Sequence, residues 1–381
     1  MIVGFTSTGS KRPEVLFGPQ LDGMPRRLRR AAGCTVQATD GRSYLDFIMA
    51  LGAVALGYGH SDVVQAAADA IERGIIGSLS PDDEAAFADE LVAAIPWLDQ
   101  VLFHKTGAEA VAAAVRIARV ATGRNRVIGC GYHGWLDWCS ESAGVPPATR
   151  DLYAAIPFND AERARTLLRA AGDTLACVVI EPVIDEAPTR EWLDVLREET
   201  TRAGAILIFD EIKTAFRIAI GGAAERWGVT PDIIVLGKAM ASGFPLAAIG
   251  GPREVMHHAT STWISSTMAT EYVSLAAARA TLRAMQTHGV PRHLEVTGTR
   301  LLAGLQRLAG RYPGLGVTAA GIPQMCYLRH ASEPTSSRFA TECARRGLLF
   351  KRTAYNFVSL AHDDAAIDRA LETLDEVLAT C

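Results

Sequence analysis

The chain has 381 residues, of which 49% are hydrophobic and 21% charged, and its formal net charge at pH 7 is −4. This composition is typical of a globular protein long enough to build a large core and a second, smaller one, and it argues against disorder. The slightly acidic balance argues against a nucleic-acid-binding protein and against binding to an anionic membrane surface, since both need a basic footprint.

The first 60 residues predict an irregular start followed by a β-hairpin. Residues 1–35 are rich in Gly, Pro and Arg, and we interpret them as an N-terminal arm. The stretch "CTVQATDGRSYLDFI" predicts a hairpin that turns at Asp40-Gly41. Two helical patterns follow, "SDVVQAAADAIERG" and "PDDEAAFADELVAAIP".

Strands and helices alternate in the middle of the chain. The predicted strands are "DQVLFHK", "NRVIGCG", "LACVVIEPV", "AILIFDE" and "PDIIVLG", and the predicted helices between them are "GAEAVAAAVRIARVATG", "NDAERARTLLRAAG" and "REWLDVLREETTRAG". Continuous apolar strands that alternate with helices indicate an α/β fold with a large, mainly parallel sheet covered by helices on both faces. We assign this large domain to residues 36–265.

The last third predicts a linking helix and a smaller domain. The helix is the Ala-rich "ATEYVSLAAARATLRAMQTHG". It leads to strands in "QMCYLRH" and "GLLFKR" and to a final helix, "DDAAIDRALETLDEVLAT". We therefore predict that residues 266–381 form this helix and a small α+β C-terminal domain.

Three features predict a cytoplasmic protein. The cysteines are odd in number, widely spaced and without a C-x-x-C pair, which argues against a disulfide framework or a zinc site. The amino terminus lacks the pattern of a secretory signal, and no apolar run approaches the about 18 residues that span a bilayer. The cysteines are Cys34, Cys130, Cys139, Cys177, Cys326, Cys343 and Cys381.

Two predicted strand ends carry an amine and a carboxylate. Lys238 follows the apolar strand "PDIIVLG", and Asp210 ends the apolar strand before it in the chain. Ligands of open parallel sheets bind beyond the carboxyl ends of the strands, and a desolvated lysine there becomes a nucleophile. The alternatives are a surface lysine in a loop and a helix-capping acid, the latter fitting Glu211 better than Asp210.

Two loops of the same sheet suggest a planar, phosphorylated ligand. The turn Thr-Gly-Ala at Gly107 opens a helix, whose first N–H groups suit a phosphate, although glycine at such a turn is often structural. In "GYHGWLDW" an exposed Tyr132 could stack on a flat ring, while packing beneath a loop explains Trp135 and Trp138 better. A nucleophilic amine, a carboxylate, a phosphate cradle and a stacking aromatic together suit pyridoxal 5'-phosphate.

The motifs resemble one enzyme family over most of the chain. From about residue 30 to the end, "TGAEAVAAAVRIAR", "YHGW", "VVIEPV", "GAILIFDEIKTAFR" and "PDIIVLGKAMASGFPLAAIGG" are similar to the class III aminotransferases of the type I pyridoxal-phosphate-dependent transferase fold. Within that family the chain looks most like the glutamate-1-semialdehyde aminomutase branch.

The resemblance implies a role for each matching residue of the cofactor site. Lys238 would form the Schiff base and carry the proton, and Asp210 would pair with the pyridine nitrogen. Ile212 would pack on the ring face opposite Tyr132. Gly107 and Ala108 would hold the phosphate through backbone N–H groups. His133, the residue after the stacking aromatic, and Glu181, near the site, would also belong to the cofactor-binding residues.

The resemblance also implies an obligate homodimer. Thr267 matches a threonine that reaches the cofactor phosphate of the neighbouring subunit, which places active sites at the subunit interface. Arg352 falls in register with an arginine that binds a substrate carboxylate in many ω-aminotransferases, a task that suits a bidentate guanidinium, although a surface arginine remains the alternative.

Departures from the family pattern bear on the reaction. Ala108 lacks the hydroxyl usual in the aminomutase branch, and Lys213 and Ala215 replace common Met and Gly. Ala354 stands where aminomutases carry a glutamate, which together with the shorter chain argues against aminomutase activity. We therefore expect an aminotransferase. A mutase, racemase, epimerase or decarboxylase on the same scaffold is the alternative, and a non-catalytic cofactor-binding protein is a remote one.

Overall fold

The computed structural model describes residues 2–380, so that Cys381 of the cysteine set lies outside it. Fourteen strands occur among these residues: β1 Leu28–Ala32, β2 Thr35–Ala38, β3 Ser43–Asp46, β4 Gln100–His104, β5 Arg126–Cys130, β6 Tyr153–Ala155, β7 Leu175–Ile180, β8 Ile206–Asp210, β9 Ile233–Leu236, β10 Ala247–Gly251, β11 Thr318–Ile322, β12 Met325–Arg329, β13 Leu348–Leu349 and β14 Asn356–Phe357.

The same part of the chain contains fourteen α-helices, eight of them twelve residues or longer. They are α1 Pro13–Phe17, α2 Met49–Gly52, α3 Ser61–Glu72, α4 Asp82–Ala94, α5 Gly107–Thr122, α6 Pro147–Arg150, α7 Ala161–Ala171, α8 Arg190–Ala203, α9 Gly222–Trp227, α10 Arg253–Met256, α11 Tyr272–Thr287, α12 Val290–Arg311, α13 Glu333–Arg345 and α14 Asp364–Thr380. None of the described helices is long and apolar enough to cross a membrane.

Residues 62–286 form one compact unit around a seven-stranded sheet. The strand order is β4-β10-β9-β8-β7-β5-β6. The pairs from β9 to β6 are parallel, and β10 runs antiparallel to both of its neighbours. This confirms the large, mainly parallel sheet. The edge strand β6 and strand β10 were not predicted, because one has only three residues and the other ends in two glycines.

Alternate residues of the central strands face two different helical layers. Val127, Val179 and Ile208 pack with the small residues of α5, and Ile128 and Ile180 pack with α7 and α8. Side chains of successive strand residues point to opposite faces, so a strand covered on both sides is apolar throughout. Helices thus cover both faces of the sheet, as predicted, and β7 is buried at every position because both of its faces are covered.

Residues 2–61 and 287–380 belong to a second unit of α+β architecture. It contains a four-stranded sheet, β1-β2-β3-β13, and a three-stranded sheet, β11-β12-β14. The predicted hairpin is confirmed as β2 and β3, and β13 pairs with β3 in parallel. The division therefore differs from the boundaries predicted at 35/36 and 265/266, because a strand from near the chain's end hydrogen-bonds to the hairpin.

Helix α12 was not predicted from the sequence, because its glycines weaken the helical pattern. A Cβ on Gly298 would lie 2.0 Å from the Pro323 carbonyl oxygen, and one on Gly304 would lie 2.4 Å from the Leu371 side chain. Glycine weakens helix propensity by about 1 kcal/mol relative to alanine, but here it allows backbone and side chains to approach closely. The sequence shows the lost propensity, and only the fold shows the packing that offsets it.

Candidate active site

Lys238 lies immediately beyond the carboxyl end of β9, as predicted. Its φ of 45° is left-handed, which is uncommon for a residue with a side chain and is a form of backbone strain found at active sites. Across residues 2–380, no hydrogen bond or ion pair joins the Lys238 amine to another group. Burial lowers the pKa of this amine, the charges of Glu181 and Asp210 oppose that change, and the cations of Lys213 and Arg217 reinforce it.

Asp210 ends β8, the strand next to β9, so the carboxylate and the amine do emerge at one edge of the sheet. The Asp210 side chain is buried, and its Oδ2 lies 2.9 Å from Nδ1 of His133. Its Oδ1 accepts a hydrogen bond from the backbone N–H of Ile212. The ring of His133 stacks on buried Trp138, which fixes the direction from which it meets the carboxylate.

The amino end of α5 offers unused backbone donors. Thr106 caps the helix, its hydroxyl accepting from the Glu109 N–H while the Glu109 carboxylate accepts from the Thr106 N–H. This capping box leaves the N–H groups of Gly107 and Ala108 without an acceptor inside the helix. Such a helix end attracts an anionic group such as a phosphate.

Glycines bring the walls of the site close together. A Cβ on Gly107 would lie 2.4 Å from Cδ1 of Ile212, so its absence lets Ile212 pack on the helix end. Gly134 has a φ of +102°, and a Cβ there would lie 2.6 Å from the Cβ of Ala108. The loop that carries Tyr132 and His133 therefore rests directly on the first turn of α5.

These elements enclose a cavity of about 380 Å³, within the size range of small-molecule sites. Its lining includes eight of the residues singled out in the sequence, namely Lys238, Asp210, Ile212, Gly107, Ala108, Tyr132, His133 and Glu181. The Tyr132 side chain is 71% exposed at this cavity. Trp138 is packed beneath the loop as expected, but the same expectation is wrong for Trp135, which is 74% exposed and lines the cavity.

Two lysines of the cavity were not predicted to belong to it. Lys213 lies in the turn after β8 and pairs with Glu181 at 2.5 Å. Lys105 precedes the helix end and pairs with Glu271 at 2.7 Å. Both stand within three residues of a motif position, and that proximity is the signal that could have identified them.

Glu211, in contrast, is a structural acid. Its carboxylate accepts hydrogen bonds from the N–H groups of Ala223 and Ala224, at the start of α9, and from Thr214. Burial raises the pKa of Glu211 to about 7. The sequence interpretation of Glu211 as a helix cap is confirmed.

Thr267 and Arg352 are not held at this cavity by any contact. Thr267 is exposed in the segment before α11. Arg352, in the other unit, donates to the backbone carbonyl of Val15 and pairs with Glu333 at 3.0 Å. The guanidinium expected to bind a substrate carboxylate is thus occupied by groups of its own unit.

The residues of the cavity fit pyridoxal phosphate. The two free N–H groups at the α5 terminus suit its phosphate. Ile212 and Tyr132, which both line the cavity, suit the two faces of a flat ring. Asp210 suits a protonated ring nitrogen, and the unpaired Lys238 amine suits a carbonyl carbon.

Comparison with known proteins supports this fit. A family model described as aminotransferase class-III matches residues 17–378. The glutamate-1-semialdehyde 2,1-aminomutase of Rhodopirellula baltica is 32% identical, over 97% of this chain and 92% of that protein. The PLP form of the FumI protein of Sphingopyxis sp. MTA144 superposes with a TM-score of 0.92 at 26% identity, over 98% of this chain and 92% of that one. A β-phenylalanine aminotransferase from Variovorax paradoxus superposes with a TM-score of 0.86 at 25% identity, over 93% of this chain and 87% of that one.

Proposed function

The chain belongs to the class-III aminotransferase family and uses pyridoxal phosphate, and on that premise we propose that it moves an amino group from an amino donor to a carbonyl acceptor. The observation that carries the proposal is the unpaired Lys238 amine, which lines one cavity together with Asp210 and the residues of the free N–H groups of α5, Gly107 and Ala108. Bound pyridoxal phosphate supplies a carbonyl carbon and a ring that withdraws electrons from the substrate carbon.

In this proposal the chain's own residues bind, orient and move protons. Lys238 would hold the cofactor through its amine, and the same amine would carry a proton to and from the substrate carbon. Asp210, which His133 holds in place, would keep the ring nitrogen protonated. Gly107 and Ala108 would bind the phosphate through their N–H groups.

Further residues of the proposed site orient the ring. Ile212 would pack against one face of it, and Tyr132 would cover the other. Glu181 holds the Tyr132 loop through the Tyr132 N–H, a bond of 2.6 Å. By holding the ring from both sides, these two side chains would limit which bond at the substrate carbon can break.

A screen of amino donors against the purified holoenzyme tests the reaction. We expect at least one donor to replace the visible absorbance of bound pyridoxal phosphate by the near-ultraviolet band of the pyridoxamine form, with one equivalent of keto product. Lys238→Ala is the control, because it lacks the amine that the proposal requires. Turnover by Lys238→Ala at the wild-type rate would refute the roles assigned here.

A second candidate reaction is an intramolecular amino shift. The observation that favours it is the aminomutase name of a 32% identical relative, against which stands Ala354 in place of a glutamate. Conversion of glutamate-1-semialdehyde to an isomer with no free keto product would establish this candidate. Release of carbon dioxide or loss of chirality without keto product would instead indicate a decarboxylase or a racemase.

We further propose that the enzyme is a cytoplasmic homodimer in which Thr267 binds the cofactor phosphate of the partner. Thr267 lies between Trp263 and Met268, which are 84% and 53% exposed, and exposed apolar side chains of this kind suit a subunit interface. The cysteine pattern supports a reducing compartment.

Mixing two inactive variants tests the shared site. In a hybrid of a Lys238→Ala chain and a Thr267→Glu chain, one active site receives both wild-type residues. We expect the mixture to regain activity that neither variant has alone. Mixtures that exchange subunits and stay inactive would mean that Thr267 acts within its own chain.

A further inference from the structure

One ion pair of the cavity has no task in the chemistry described above. Lys213 Nζ lies 2.5 Å from Oε2 of Glu181, and the two side chains are only 8% and 12% exposed. Both residues line the cavity that contains Lys238. Removing two charges from water costs about as much as their attraction returns, so stability alone is a weak reason for such a pair.

The Glu181 carboxylate connects this pair to the loop of the stacking aromatic. While Oε2 faces Lys213, Oε1 accepts a hydrogen bond of 2.6 Å from the Tyr132 N–H. Gly131, with a φ of +109°, allows the approach, since a Cβ there would lie 2.8 Å from the Glu181 side chain. Both carboxylate oxygens are therefore directed to partners other than the Lys238 amine.

Charged groups reach Lys238 from several elements. Glu181 follows β7, Asp210 ends β8, and Lys213 and Arg217 lie in the turn after β8. Two further groups of the cavity are already paired, His133 with Asp210 and Lys105 with Glu271. The two carboxylates favour the protonated form of the Lys238 amine, and the two cations disfavour it.

We propose that Lys213 is a positioning residue of this site, whose ammonium holds Glu181 against the Tyr132 loop and keeps that carboxylate from pairing with the Lys238 amine. The inference rests on the proposed function in one respect, that Lys238 reacts as a free amine. Only the unprotonated nitrogen has the electron pair that attacks a carbonyl carbon. Lys213 thus acts twice, as a nearby cation and as the group that neutralises Glu181.

The rate at which the full-length apoprotein captures pyridoxal phosphate tests this role. The capture is followed by stopped-flow absorbance from neutral to alkaline pH, and the midpoint of the rate profile reports the deprotonation of Lys238. Lys213→Met removes the ammonium at similar volume, and we expect its midpoint to rise by about one pH unit. Lys213→Arg keeps the charge and should retain the wild-type midpoint.

Glu181 variants give the opposite sign and guard against a merely structural effect. Glu181→Gln removes a carboxylate that favours the protonated Lys238 amine, so we expect its midpoint to fall. The double variant Lys213→Met/Glu181→Gln removes both charges, and we expect a midpoint close to that of the wild type. A packing defect would slow capture in every variant without moving midpoints in opposite directions.

An unchanged midpoint in a folded Lys213→Met protein, or shifts of the same sign in both single variants, would overturn the proposal. If Lys213→Met does not fold, the Glu181→Gln and double variants decide the question alone. Failure of the proposed reaction is detected separately, because the screen of amino donors uses the wild-type holoenzyme and no midpoint.

Discussion

Adding one methyl group at Gly134 should separate two walls of the candidate active site. Gly134 has a φ of +102°, and its missing Cβ would lie 2.6 Å from the Cβ and 3.0 Å from the Cα of Ala108. The Ala108 backbone belongs to the first turn of α5 and cannot rotate out of the way as a side-chain end could. In Gly134→Ala the loop with Tyr132 and His133 must therefore move away from the phosphate-binding turn.

The expected cost has two parts of similar size. Placing alanine in a left-handed conformation costs about 1–2 kcal/mol, and forcing a methyl group into a packed contact costs about 1–3 kcal/mol. Gly144, in the chain segment that follows this loop, offers a matched control, since its φ is +96° and a Cβ there would meet nothing within 4 Å. Gly144→Ala therefore carries only the cost of the left-handed conformation, without the cost of a packed contact.

Titration of each apoprotein with pyridoxal phosphate measures the difference. Since each 1.4 kcal/mol changes a dissociation constant about tenfold, we expect Gly134→Ala to bind the cofactor roughly 10- to 100-fold more weakly than Gly144→Ala. Adding Ala108→Gly to Gly134→Ala removes the closer contact and should restore part of the affinity. Equal dissociation constants for the two alanine variants would refute the argument that this contact builds the site.

Other predictions concern stability. Burial lowers the pKa of His104 to about 4, so the unfolded chain takes up a proton first as pH falls from 6.5. Between pH 6.5 and about 5, the wild type should therefore lose about 2 kcal/mol more of its free energy of unfolding than His104→Phe does, as measured by unfolding in urea. Glu271 accepts from the Ser274 N–H and pairs with Lys105. Glu271→Ala should therefore lower the free energy of unfolding by about 2 kcal/mol and Lys105→Met by less, because only the first removes the cap of α11. Arg352→Ala should lower the melting temperature and leave KM for the donor nearly unchanged; a large rise in KM would instead support a substrate-binding role.

Short, local patterns carried most of the fold prediction. The apolar strands β7, β8 and β9 and the helices between them follow from periodicity, because a strand covered on both faces is apolar throughout. Strand β10 could not be predicted in this way. Its sequence, "AAIGG", has little strand propensity, and it is held by hydrogen bonds to β4 and β9 on both sides.

For the site, local sequence patterns were enough to predict which groups stand at strand and helix ends. Lys238, Asp210 and Gly107 follow from that position, since the carboxyl ends of parallel strands meet at one edge. Which charges meet at that edge depends instead on the packing of the folded chain. Lys213 pairs with Glu181 and Lys105 with Glu271 across distances in sequence that no spacing rule relates, because each contact depends on how separate loops pack over one sheet.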